Sequence, residues 1–258
     1  MRRLDAVDAH HQGSGRVVDF TPGRVRWTRR TVGLPVTSEH RFRATESTGD
    51  VSAVLVRPRE AWCLYVFGHG AGAGMHHAFM EATAGLLTER GIATFRYQFP
   101  YMQAGRKVPN RAQILGETVR NAISAARSLA PDVSILAGGK SMGGRMTSVA
   151  ASTSPLHSVR GLAFFGFPLH PRGRESSERG DHLPDVGLPM LFLQGTRDRL
   201  ANLDLLRPVL DAIEPAPTLH VVEGADHGFH VLKRSGRTDT EVLEQICDVF
   251  ANWAGRVI

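Results

Sequence analysis

Val133-Ser-Ile-Leu-Ala137, continued by Gly138-Gly139-Lys140-Ser141-Met142-Gly143-Gly144-Arg145, is the stretch from which the fold is read. An apolar, strand-like run leads into G-x-S-x-G, and the residues from Met142 onward suit a helix. Strand, sharp turn and helix in that order are the setting of a nucleophile elbow, where a strained turn lifts a serine hydroxyl above the end of a sheet. Gly139 and Gly143 lack Cβ atoms, so the chain can pass close to itself on both sides of Ser141. The turn sets Ser141 at a helix N-terminus, where unpaired N–H groups favour negative charge. The Met142 N–H is then aimed at an oxyanion. A surface serine in a Gly-rich turn, or one that only caps the helix, would show the same five letters.

Outward from this stretch, strand-like runs over 51–56, 62–67, 92–97, 133–137, 161–165, 189–194 and 219–222 alternate with helical stretches over 77–89, 110–129, 142–151, 204–212 and 239–254. Several strands are unbroken aliphatic blocks, as in strands covered on both faces. Such alternation predicts an α/β fold, a mostly parallel central sheet with helices on both faces. Residues 39–258 form that one domain. Residues 1–38 are polar and Arg-rich, without a sustained apolar period, and read as an extension that is poorly ordered or loosely docked. The segment 168–187 is the longest stretch without a pattern. It is too short for a large cap domain and is either a working loop or a solvated one.

Two further loops complete a chemical set. Gly68-His69-Gly70-Ala71-Gly72 follows the strand-like run 62–67. A second oxyanion-hole N–H belongs in such a loop; Ala71 is the expected donor and Gly72 the alternative. His69 is expected to hold the loop by hydrogen bonding, with a role as base the competing reading. A dinucleotide loop is not supported, because Ala73, Met75 and His77 stand where its last glycine would fall. Asp198, just past the run 189–194, is the expected acid, with Asp204 its main rival and Asp185 and Asp226 also near. His227, after the last strand-like run, is the expected base, and His230 its rival. The chain order Ser141, Asp198, His227 is that of one hydrolase fold among several that use this chemistry. His10, His11, His157 and His182 read as solvated.

The bulk composition narrows the class. The 258 residues carry a formal charge of +6, almost all from Arg, since Lys occurs only as Lys107, Lys140 and Lys233. The arginines are scattered, and no recognition helix, zinc spacing or aromatic-basic motif accompanies them, so no nucleic-acid partner is expected. No apolar run reaches about 18 residues, so no membrane span is expected. Cys63 and Cys247 read as buried free thiols, which suits a cytoplasmic protein. The histidines show no metal-ligand spacing, and the chemistry requires no metal or cofactor.

His69-Gly70, Gly139–Gly143, Gly195–Asp198 and Asp226-His227-Gly228-Phe229 together resemble α/β-hydrolases of the dienelactone-hydrolase-like branch. Dienelactone hydrolase itself uses a cysteine where Ser141 stands, which argues against its lactone chemistry here. Gly68–Gly72, Arg96-Tyr-Gln-Phe-Pro-Tyr101, Gly139–Arg145, Phe167-Pro-Leu-His170 and Leu193-Gln-Gly-Thr-Arg-Asp198 look most like small predicted hydrolases related to a hydrolase-like subunit of the NSL chromatin complex. The resemblance spans roughly residues 40–258. It implies the α/β-hydrolase fold and a Ser141–His227–Asp198 triad, and it carries no defined substrate. It also sets Tyr97–Arg106 and Phe167–His170 near the site mouth, with Tyr101, Phe167, His69, Gly70 and Lys140 as candidate substrate contacts. Lys140, Arg106 and Lys107 would favour an anionic substrate group, unless they are solvated charges or ion-pair partners. The expected function is hydrolysis of a carboxylic ester of a small acyl compound. The competing readings are a non-catalytic interaction module on this fold and an acyltransferase or peptidase with the same three residues.

Overall fold

The computed structural model describes residues 34–258. Eight strands form one sheet: β1 (Val36–Thr45), β2 (Gly49–Arg57), β3 (Cys63–Gly68), β4 (Ile92–Tyr97), β5 (Ser134–Lys140), β6 (Val159–Phe165), β7 (Met190–Gly195) and β8 (Thr218–Val222). Their order across the sheet is β1-β2-β4-β3-β5-β6-β7-β8. The β1/β2 and β2/β4 pairs are antiparallel, and every later pair is parallel. The longer helices are α1 (Ala78–Glu89), α3 (Ala112–Leu129), α4 (Met142–Thr153), α5 (Leu203–Asp211) and α6 (Asp239–Val257), with a short α2 (Pro100–Gln103) after β4.

The unbroken apolar runs explain the layering. Along β3, Leu64 and Val66 face one core with Leu115 and Val119 of α3, Met146 of α4 and Leu206 of α5. Cys63, Tyr65 and Phe67 face the other, with Met80 and Leu87 of α1 and Ile246, Phe250 and Trp253 of α6. Phe250 lies 4.7 Å from the Tyr65 ring and 5.9 Å from Phe165. Each such fully buried aromatic contributes about 2 kcal/mol by burial alone. Cys63 and Cys247 are both free and buried. No helix among the described residues is long and apolar enough to cross a membrane.

Three expectations change. β1 starts at Val36, inside the stretch assigned to an extension over 1–38, whose residues up to 33 lie outside the described ones. Its polar and charged residues, Glu39, Arg41 and Arg43 among them, are exposed because it is an edge strand, so it has no apolar run to detect. Segment 168–187 holds two 3-10 turns, Glu178–Gly180 and Leu183–Val186, with Leu169, Leu183 and Val186 buried. Turns of that length are too short to show a period. His182, expected to be solvated, is half-buried and bonds through Nε2 to Ser148 Oγ at 2.8 Å.

Candidate active site

The elbow follows from close backbone packing. A Cβ on Gly139 would lie 2.4 Å from the Gly68 carbonyl oxygen, and one on Gly143 would lie 2.3 Å from the same atom. Only glycine at both positions lets the turn between β5 and α4 sit against the end of β3. Ser141 is held at φ 51°, ψ −117°, a conformation that costs a non-glycine residue on the order of 1–3 kcal/mol. Its N–H is fixed by the Phe165 carbonyl at 3.1 Å. As N-cap of α4 its side chain makes no capping bond, so the hydroxyl is not used as a helix cap.

The hydroxyl instead donates to His227 Nε2 at 2.8 Å, and His227 Nδ1–H donates to Asp198 Oδ2 at 2.7 Å. A carboxylate only accepts, so Asp198 sets the ring tautomer and leaves Nε2 free to accept. The Asp198 side chain is wholly buried, while that of His227 is 25% exposed. Asp198 Oδ2 also receives Gln194 Nε2–H at 2.5 Å, and Oδ1 receives the Leu200 N–H at 2.8 Å. Gln194 in turn accepts the Phe167 N–H through Oε1 at 2.9 Å. The structure thus brings the three expected residues into one chain from three separate loops.

The rivals lie elsewhere. His230 is exposed, and its Nδ1 bonds to Asp239 Oδ2 at 2.8 Å in the first turn of α6, which raises its pKa. Asp204 sits in the first turn of α5, its N–H capped by Asn202. Two further serines bond to a histidine ring: Ser38 to His40 on β1 at 2.7 Å, and Ser148, which is buried inside α4 and also donates to the Arg145 carbonyl.

A cavity of about 180 Å³ opens over Ser141 and is lined by Gly70, Ala71, Phe79, Lys140, His227 and Gly228 among others. Met142 opens α4, so its N–H has no helical carbonyl to bond. The loop carrying Ala71 follows β3 and is tied to the end of β4 and the residues just after it. His69 is fully buried; its Nδ1–H donates to the Gly70 carbonyl at 2.8 Å, and its Nε2 accepts the Phe99 N–H at 3.0 Å. Both nitrogens are occupied, and burial lowers the ring's pKa to about 4. Gln98 Oε1 accepts the Met75 N–H at 2.9 Å, and Arg96 donates to the Met75 carbonyl at 2.9 Å.

Of the candidate substrate contacts, Gly70 and Lys140 line the cavity and His69 does not. Tyr101 and Phe167 are buried away from it: Tyr101 lies behind the loop 6.1 Å from the His69 ring, and Phe167 packs on Phe164 and Phe192. Their place at the mouth is corrected to one of support, since both are apolar enough to be drawn into the core. Phe79 and Gln194 are site residues that the sequence did not single out. Phe79 follows a Gly-rich loop, and Gln194 is the one polar side chain in an apolar strand, a signal that could have been read. On the far side of His227, a second hollow of about 410 Å³ is lined by Arg172, Arg197 and Arg199 with Asp226.

Comparison with known proteins agrees with this architecture. A family model described as an alpha/beta hydrolase domain matches residues 62–255. A solved dienelactone hydrolase from Anabaena variabilis superposes with TM-score 0.71 at 19% identity, covering 87% of this chain and 99% of that one. A lidless a/b serine hydrolase from Xanthomonas campestris gives TM-score 0.62 at 19% identity, covering 81% and 92%. Two proteins of Mycobacterium tuberculosis named "Putative phosphoribosyl transferase" are 25% identical over 207 residues, 79% of this chain. The chain spans only 43% of the length of those curated relatives. By the match over residues 62–255, the chain belongs to the alpha/beta hydrolase domain family.

Proposed function

We propose that this protein is a serine hydrolase that cleaves a carboxylic ester, or a related acyl bond, of a small compound. The observation that carries the reading is the unbroken chain from Ser141 Oγ through His227 to buried Asp198, with links of 2.8 and 2.7 Å. His227 takes the hydroxyl proton as Ser141 Oγ attacks the acyl carbonyl carbon. The N–H groups of Met142 and Ala71 hold the resulting oxyanion. Asp198 stabilises the imidazolium, which returns its proton to the leaving oxygen as the bond to it breaks. Water, deprotonated by His227, then releases the acid and regenerates Ser141.

The size of the cavity, about 180 Å³, favours a short acyl group. The likeness of the motifs to predicted hydrolases related to an NSL-complex subunit supports hydrolase chemistry and suggests no substrate. The names of the curated relatives raise a second reading, phosphoribosyl transfer. It draws on proteins more than twice as long as the matched part. A fluorophosphonate probe separates the readings. Labelling of the wild type that disappears in Ser141→Ala, together with turnover of p-nitrophenyl acetate, supports the serine hydrolase. Folded wild-type protein that takes no label sinks it and leaves the interaction module or the transferase. Esters of graded chain length would then define the acyl preference, and alcohol or amine acceptors would reveal an acyltransferase.

A further inference from the structure

Lys140 stands immediately before the serine, at the end of β5 and after the apolar Ile135-Leu-Ala137 and two glycines. Its ammonium does not point to solvent or to a carboxylate within ion-pair distance. Nζ donates to the carbonyl oxygen of His227 at 2.6 Å. It also lies 5.6 Å from the centre of the Phe79 ring and 5.5 Å from that of Phe229, two rings stacked 5.9 Å apart and 15° from parallel. Gly166 forms another wall, where a Cβ would come within 3.0 Å of Nζ and 3.3 Å of the His227 oxygen. Four elements therefore enclose one cation: the end of β5, the turn after β6, the start of α1 and the loop after β8.

The loop after β8 requires restraint. Phe229 sits at φ 64°, a left-handed conformation that is strained for a bulky side chain. Asp226 holds the turn from inside, accepting the Gly228 and His230 N–H groups at 2.8 and 3.0 Å. The Ala225 carbonyl accepts the Arg197 N–H at 2.9 Å and Asp239 accepts the Val231 N–H at 2.9 Å, so the ends of the loop are anchored, but none of these bonds reaches the strand of Ser141. The Lys140 ammonium makes that link, because it grips the backbone of the histidine itself from the residue next to the serine.

We propose that Lys140 is a positioning residue, a clamp that ties the strand of Ser141 to the turn of His227 and sets the distance between the serine hydroxyl and the imidazole. The proposal rests on the serine-hydrolase reading above for its kinetic consequence, not for its geometric one. The charged groups facing the ammonium are Asp198 and Asp226, which favour its protonated form, while burial lowers its pKa to about 8.

The test compares wild type, Lys140→Met and Lys140→Cys before and after alkylation with 2-bromoethylamine, which rebuilds an ammonium of nearly the same reach. Cys63 and Cys247, the only native cysteines, are buried, with thiol pKa values pushed up by burial, and remain unmodified. With p-nitrophenyl acetate, kcat is expected to fall on the order of tenfold to a hundredfold in Lys140→Met and in unalkylated Lys140→Cys, the loss that follows a misplacement near 1 Å. KM should change by no more than about twofold, and alkylation should restore most of kcat. An activity-independent readout is the downfield proton resonance of His227 Nδ1–H on Asp198, identified by its loss in Asp198→Asn. It should broaden in Lys140→Met and sharpen again after alkylation. Variants that keep the wild-type kcat and a sharp resonance overturn the clamp. A resonance that responds as expected in a protein without esterase activity upholds the clamp and overturns only the proposed reaction.

Discussion

Gln194 and His227 donate to one oxygen: Asp198 Oδ2 lies 2.5 Å from Gln194 Nε2 and 2.7 Å from His227 Nδ1. Gln194 is fully buried, and its Oε1 accepts the Phe167 N–H. Gln194→Leu should therefore strand a buried amide and remove one of the carboxylate's donors. The expected loss is about 1–3 kcal/mol of stability by urea titration, with esterase kcat reduced about tenfold. A variant with unchanged denaturation midpoint and kcat would show that the bond carries no weight.

Asp198→Asn would keep the volume but offer the imidazole an amide that can present N–H to Nδ1. The ring would then favour the tautomer with its proton on Nε2, facing Ser141. We expect turnover of p-nitrophenyl acetate to fall by roughly 10⁴ with the far-ultraviolet circular dichroism retained. Near-normal rates would move the acid to Asp204.

His227→Ala should abolish esterase turnover, whereas His230→Ala should keep most of it. His230 is exposed and serves the first turn of α6 through Asp239, so its loss is expected to change stability little. The opposite pattern of rates would transfer the base to position 230.

Buried His69 makes stability depend on pH. Its folded-state pKa is about 4, against 6.5 in the unfolded chain, so the unfolded chain binds the extra proton between those values. Above pH 6.5 its contribution is fully present; it is lost as the pH falls toward 4, below which the slope from this group ends. About 3 kcal/mol is at stake. His182, also lowered to about 4, adds to the same window by a smaller amount because it is only half-buried. Unfolding free energies that stay level from pH 7 to 4.5 would contradict this.

Arg172, Arg197 and Arg199 surround a hollow that shares His227 and Gly228 with the cavity over Ser141. No ion pair to a carboxylate is formed by these three among the described residues. Under the proposed reaction, an ester with an anionic leaving group should have a several-fold higher kcat/KM than its neutral isostere at low salt. The advantage should shrink as ionic strength rises. Equal values at all salt concentrations would show that the positive charge plays no part in substrate choice.

The parallel core of the sheet and all five long helices were legible in the sequence, because strands buried on both faces are written as unbroken aliphatic blocks and the helices between them as periodic ones. β1 was not, since an edge strand facing water carries Glu39, Arg41 and Arg43. Ser141 could be recognised because its turn needs glycine on either side, a local demand that leaves a local trace. Asp198 and His227 were placed by chain order, yet their rivals Asp204 and His230 lie only six and three residues away. Sequence distance could not separate them, because which carboxylate meets which ring depends on how three loops converge. The contacts of Phe79 and Lys140 were decided by the tertiary structure alone, because their partners Phe229 and His227 lie 150 and 87 positions distant. A chain records its own local backbone needs in its residues, but a contact between remote segments exists only once the sheet has brought its loops to one edge.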